Sequence, residues 1–150
     1  MSFVIRDLQS SDYPFLFNSW MKSYSKEFLD KKNVPSQIYY QGLHKLIENL
    51  LPSCVVKMAV TEDDLDVIIG YVVASSDDNV GVVHYVYVKE SFRRLGVASQ
   101  LLASVGIEPD MDSIFTAFTP SGSELAAKFN SLYHPFYIAN MFGDLLDNSR

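Results

Sequence analysis

Cysteine is nearly missing from this chain: Cys54 is the only one in 150 residues. A disulfide framework and a cysteine-based zinc cluster are excluded, and a reducing, cytoplasmic setting is expected. Long apolar runs are missing too. No stretch approaches the roughly 20 residues that a membrane-spanning helix needs. The opening MSFVIRDLQSSD carries polar and acidic residues too early for a secretory signal. Basic residues are the minority, 12 against 18 acidic, for a net charge of -6. Such a chain is a poor nonspecific ligand for nucleic acid, and no direct nucleic-acid or membrane binding is expected. The three histidines, His44, His84 and His134, lack ligand spacing, so no metal site is expected. There is no G-x-x-x-x-G-K-S/T phosphate loop, because no lysine follows Gly96. Internal repeats and low-complexity segments are also lacking.

What is present suits one globular domain over residues 1–150. The hydrophobic fraction is 48% and the charged fraction 20%, which fits a chain with a real core and argues against disorder. The most informative stretch is His84 to Leu102, HYVYVKESFRRLGVASQLL. Val82 to Val88 is β-branched and aromatic, as strands prefer. Lys89 to Leu95 is a basic turn. Val97, Ala98, Leu101, Leu102 and Val105 then recur at helical spacing. The first turn of a helix has amides without intrahelical acceptors and a partial positive charge. Gly96 and Ala98 leave the main chain open there, and Arg93 and Arg94 add charge. A phosphate group suits such a place. A solvated basic turn before an ordinary amphipathic helix is the plain alternative.

The remaining elements follow in order. Phe3–Arg6 reads as a strand and Asp7–Asp12 as a polar turn. Pro14 suits the first turn of a helix that carries Tyr13, Leu16, Phe17, Trp20, Met21 and Tyr24 at helical spacing. Glu27–Pro35 reads as a loop. A second helix starts at Ser36, with Tyr39, Tyr40, Leu43, Leu46, Ile47, Leu50 and Leu51 on its apolar face, and stops at Pro52. Val55–Val60, Val67–Ala74 and Val80–Val88 read as strands of an antiparallel meander. Gly106, Pro109 and Asp110 mark a connection to a fifth strand, Ile114–Thr119, parallel to the fourth. Glu124–Leu132 reads as a helix and Tyr133–Ile138 as a short sixth strand. The tail from Ala139 to Arg150 is ambiguous, and an exposed sixth strand would invite cover by the tail or by a second copy in a homodimer.

Arg93-x-x-Gly96-x-Ala98, within the longer frame V-x-x-x-x-R-x-x-G-x-A from Val88 to Ala98, resembles the R/Q-x-x-G-x-G/A signature of the GNAT superfamily of acyl-CoA-dependent N-acyltransferases. The element order β-α-α-β-β-β-α-β-α-β resembles that family over nearly the whole chain, except that no seventh strand is evident. The pattern is also similar to small GNAT-like proteins of bacteriophage and prophage genomes. The resemblance implies an α+β fold in α/β/α layers. Its mixed, mostly antiparallel sheet would have about six strands splayed between strands four and five, with about four helices.

The resemblance further implies acetyl-CoA as the cofactor, in a bacterial or phage-infected cytoplasm. Tyr87 and Val88 would meet its pantetheine arm. Arg94, Leu95, Gly96, Val97, Ala98 and Ser99 would turn amides to its pyrophosphate, and Arg93 would add charge. Leu132-Tyr133 is similar to the element that carries the thiolate-protonating tyrosine, which makes Tyr133 the candidate acid, with Tyr137 as fallback. Pro135-Phe136 replaces the usual Gly-Phe. Packing of Tyr133 under the sheet is the alternative. His84, with the right unperturbed pKa for the work, is the candidate base on the central strand, or else a core or surface histidine. Trp20, Tyr24 and Tyr39 are candidates for lining an acceptor site, though a helical aromatic stripe is more often core. Cys54 precedes strand two, far in topology from the cofactor gap. Direct transfer to a small or protein amine in a ternary complex is therefore expected. The competing reading is a non-catalytic GNAT-like binder of a host or viral protein, with or without CoA.

Overall fold

The structure, a computed structural model, describes residues 2–28, 36–77, 80–109, 111–116 and 130–133. These form a six-stranded sheet in the order β1-β2-β3-β4-β5-β6. The strands are β1 (Phe3–Asp7), β2 (Val55–Thr61), β3 (Ile68–Asp77), β4 (Val80–Val88), β5 (Asp112–Phe115) and β6 (Asn130–Tyr133). The described helices are α1 (Tyr13–Phe28), α2 (Ser36–Leu50) and α3 (Val97–Ser104), with short 3-10 turns at Ser10–Asp12, Leu51–Ser53 and Glu90–Phe92. The first four strands pair antiparallel. The pairs β4–β5 and β5–β6 are parallel.

Apolar periodicity places the layers. Leu16 and Trp20 of α1 and Leu43, Ile47 and Leu50 of α2 pack on one sheet face, against Val56, Met58, Val60, Tyr71, Val73 and Tyr85. Val97, Leu101 and Leu102 of α3 pack on the other, against Ala59, Ile69, Val72, Ala74, Val83 and Phe115. A part-buried ion pair anchors β1 to the 3-10 turn that leads into α1. Arg6 donates to both oxygens of Asp12, at 2.7 and 2.9 Å, and Asp12 also accepts from the Gln9 amide at 2.8 Å.

Four expectations need correction. Helix α1 continues through Glu27 and Phe28, where a loop was expected, and β3 runs on through Ser75 to Asp77. Residues 130–132 are strand instead of the end of a helix. Asn130, Ser131, Leu132 and Tyr133 register on Asp112, Ser113, Ile114 and Phe115, so ladder hydrogen bonding overrides their weak helical spacing. The fifth strand, Asp112–Phe115, starts two residues earlier than expected, and residues 117–119 of the expected strand lie outside the described residues. The expected helix over 124–129, the strand over 134–138 and the tail lie outside the described residues.

Candidate active site at the end of β4

Strand β4 has different neighbours along its length. Its first half registers on β5 through Gly81–Ser113, Val82–Ile114 and Val83–Phe115. One more bond follows, from the Thr116 amide to the Val83 carbonyl at 3.0 Å. Among the described residues, pairing with β5 stops there. From Tyr85 to Val88 the strand stays bonded to β3, and the Lys89 amide extends that edge to the Ile69 carbonyl at 2.8 Å. The residues that would flank Tyr85 to Val88 on the strand-five side, where the splay is expected, lie outside the described residues.

A bulge marks His84. Val73 registers on Tyr85 and Ala74 on Val83, which leaves His84 as the extra residue of β4. The bulge breaks the alternation: Val83 and Val86, three apart, both pack in the α3-side core. Tyr85 and Tyr87 face the α1 side within an aromatic group. Trp20 lies parallel to Tyr85 at 5.0 Å, Tyr71 sits 5.6 Å from Tyr87, and Phe15 sits 6.0 Å from Tyr87. The Lys89 ammonium lies 5.3 Å from the Phe15 ring centre.

Beyond β4 the chain makes a 3-10 turn and then two left-handed residues. Arg94 has φ +68° and Gly96 has φ +81°. A non-glycine residue at such an angle costs about 1 kcal/mol, and strain of this kind gathers at functional sites. Gly96 is the N-cap of α3, and nothing lies within 4 Å of where its Cβ would stand. The first backbone bond of the helix is Gln100 to Gly96, at 3.1 Å. The amides of Val97, Ala98 and Ser99 precede it and have no intrahelical acceptor by helix geometry. Val97 is buried under the sheet, while Arg93, Arg94, Leu95, Gly96 and Ser99 are exposed. Arg93 folds back, its Nε donating to the Val88 carbonyl at 2.9 Å. The loop joins open amides and two guanidinium groups at the end of β4, a set that fits a phosphorylated ligand.

A family model described as the Acetyltransferase (GNAT) family matches residues 5–105. This chain belongs to the GNAT acetyltransferase family. The fold agrees with solved GNAT-type structures at low identity. One is described as histone acetyltransferase HPA2 and related acetyltransferase from Corynebacterium glutamicum. It is 15% identical, with a TM-score of 0.58, over 85% of this chain and 83% of that one. Another is a putative acetyl transferase from Pyrococcus furiosus, 18% identical, with a TM-score of 0.57, over 89% and 82%. Against a GNAT acetyltransferase from Staphylococcus aureus, 20% identical with a TM-score of 0.47, the match covers 69% of this chain and 63% of that one. No curated protein matches the sequence.

Within the GNAT frame the expected site residues separate. Residues 87–99 run consecutively from the end of β4 through the turn into α3, with Tyr87 packed on the α1-side core and Val88 on the α3-side core. His84 takes a position unlike that of a solvent-reached base. It is 1% exposed. Its Nε2 lies 2.9 Å from the Ser75 hydroxyl and its Nδ1 lies 3.4 Å from the Thr116 hydroxyl. Burial pushes its pKa down to about 4, so the ring is neutral at pH 7 and a weak proton acceptor. Trp20 is 2% exposed and belongs to the core, not to a free acceptor wall. The backbones of Tyr24 and Tyr39 lie on α1 and α2, with their side chains outside the described residues. The backbone of Tyr133 ends β6 opposite Phe115, and its side chain and Tyr137 also fall outside them. Sequence reasoning missed Ser75 and Thr116, which carry no linear signal because only the sheet brings them to His84.

An open cleft of about 500 Å³ lies elsewhere, lined by Tyr13, Phe17, His44, Glu48, Leu51 and Pro52. Among the described residues no cluster of His, Cys, Asp and Glu has metal-binding geometry, and no helix is long and apolar enough to cross a membrane.

Proposed function

We propose that this chain is an acetyl-CoA-dependent N-acetyltransferase acting on a primary amine by direct transfer in a ternary complex. The single observation that carries the reading is the Arg94–Gly96 turn, which opens the first amides of α3 just beyond the end of β4.

The residues of the turn fit the cofactor's phosphates. Arg94, Leu95, Gly96, Val97, Ala98 and Ser99 would hold the pyrophosphate through main-chain amides and the helix dipole. Arg93 would add charge, and its bond to Val88 would fix the turn against the strand. Tyr87 and Val88 would flank the pantetheine arm. Bound acetyl-CoA supplies the activated acetyl group. Tyr133 would give a proton to the departing thiolate. His84 is given no proton to carry. Cys54, before β2 and half-buried, is held out of the chemistry because burial pushes its thiol up to about 11. The acceptor is a primary amine, small or on a protein, which suits a chain of net charge -6.

The test is calorimetric titration with acetyl-CoA and with CoA. Micromolar binding by the wild type and its loss in Gly96→Glu, which projects a carboxylate into the open space of the turn, are expected. Absence of binding by the folded wild type would sink the enzyme reading in favour of a binding protein. A Tyr133→Phe variant that turns over as fast as wild type would remove Tyr133 from the mechanism.

A further inference from the structure

The imidazole of His84 lies where three strands must be held in relation. On one side, Ser75 of β3 reaches its Nε2 at 2.9 Å. On the other, Thr116, next after β5, reaches its Nδ1 at 3.4 Å. His84 is the bulge residue of β4. The last described backbone bond between β4 and the β5 segment, Thr116 to Val83, lies immediately before it. The ring is enclosed, and so are Val82, Val83 and Tyr85 around it. A residue there can set the direction in which Tyr85–Val88 runs on past the last described bond to the β5 segment.

We infer that His84 is a positioning residue for the cofactor gap: a wedge tied to Ser75 and Thr116 that fixes the bulge and the angle at which β4 leaves β5. The inference rests on the acetyl-CoA reading of the gap and gives His84 a role different from that of a base. A bulge alone permits a range of twists. Two side-chain bonds from one planar ring to the strands on either side select one of them. The ring is the part that an aliphatic residue of similar size does not replace, because Ser75 and Thr116 would then lose a partner inside the sheet.

The test compares wild type with His84→Leu, His84→Gln and Thr116→Val. It reads CoA affinity by calorimetry, the amide shifts of Tyr85–Val88 by NMR, and the melting temperature. His84→Leu is expected to weaken CoA binding about tenfold and to move those amides while staying folded. His84→Gln, which keeps a donor and an acceptor, is expected to stay within about threefold. Thr116→Val is expected to fall between them. If His84→Leu does not fold, Thr116→Val and Ser75→Ala each remove one bond with the imidazole in place and carry the test.

Unmoved amides in folded His84→Leu overturn the wedge whether or not CoA binds. Wild-type affinity in His84→Leu also overturns it, as does a His84→Gln variant as weak as His84→Leu. Moved amides together with no CoA binding by any protein, wild type included, would instead overturn the cofactor reading. The role assigned here would fall with it, leaving a purely architectural contact.

Discussion

Arg93 returns its guanidinium to the strand it has just left: its Nε donates to the Val88 carbonyl at 2.9 Å. The bond closes the five-residue excursion between the end of β4 and the Arg94–Gly96 turn. It makes Arg93 a structural tie as well as a charge. Arg93→Lys keeps the charge and loses the fixed fork of donors. CoA affinity is expected to drop roughly threefold to tenfold in Arg93→Lys and further in Arg93→Ala, which loses the charge as well as the tie, with stability lowered by no more than about 1 kcal/mol. Equal affinities for wild type and Arg93→Lys in calorimetry would show that charge alone matters.

Ser99 is exposed and is the third residue of α3. A glutamate at the third position favours a helix start by about 0.3–1 kcal/mol. The same carboxylate would face the phosphates of a bound cofactor. Ser99→Glu is therefore expected to melt at or slightly above the wild-type temperature and to bind CoA at least tenfold more weakly. A variant with unchanged affinity would place the phosphates elsewhere.

Burial holds the His84 ring neutral in the folded state, with its pKa down to about 4. In the unfolded chain it takes up a proton near pH 6.5. Between those values the unfolded state binds more protons, so stability falls as pH falls through that window, by about 3 kcal/mol in all. Denaturant titrations of wild type at pH 7 and pH 4.5 should show most of this loss. In folded His84→Gln this part of the pH dependence should disappear.

Asp12 gives a second acid limb at lower pH. Its hydrogen bonds with Arg6 hold its carboxyl below the usual range, against the opposing effect of burial. A depressed folded pKa contributes stability that is complete above the unfolded value, about 3.9, and is lost as pH falls through the folded one. Asp12→Asn breaks a nearly buried pair and is expected to cost roughly 2–4 kcal/mol at pH 7. Urea midpoints of the variant and wild type should converge once the pH falls below the folded carboxyl's lowered pKa. A gap that persists there would mean that packing of the side chain is what matters.

Cys54 has little thiolate at neutral pH. Burial raises its pKa from 9.0 to about 11, which cuts the thiolate about a hundredfold. Alkylation by iodoacetamide at pH 7.5 is expected to be slower than in the urea-unfolded chain by at least that factor. If acetyl transfer is observed, Cys54→Ala should retain it. Loss of transfer with the fold intact would revive an acyl-enzyme path through this thiol.

Local chemistry was enough for much of the architecture. Branched and aromatic runs marked β1 to β4, helical spacing marked α1, α2 and α3, and the Arg93–Gly96–Ala98 spacing located the turn where the GNAT family is most recognisable. These signals lie within about a dozen residues and need no partner to be read. The tertiary structure decided what depends on partners distant in sequence. Asn130–Tyr133 became strand because β5 offered a ladder. Trp20 became core because Tyr85 gave it a parallel face at 5.0 Å. His84 changed most. Its residue type and place on β4 suggested a base, yet the bulge, the burial and the reach of Ser75 and Thr116 keep it neutral and enclosed. A side chain's chemistry is written in the sequence, but its solvation and its hydrogen-bond partners exist only once the strands have paired.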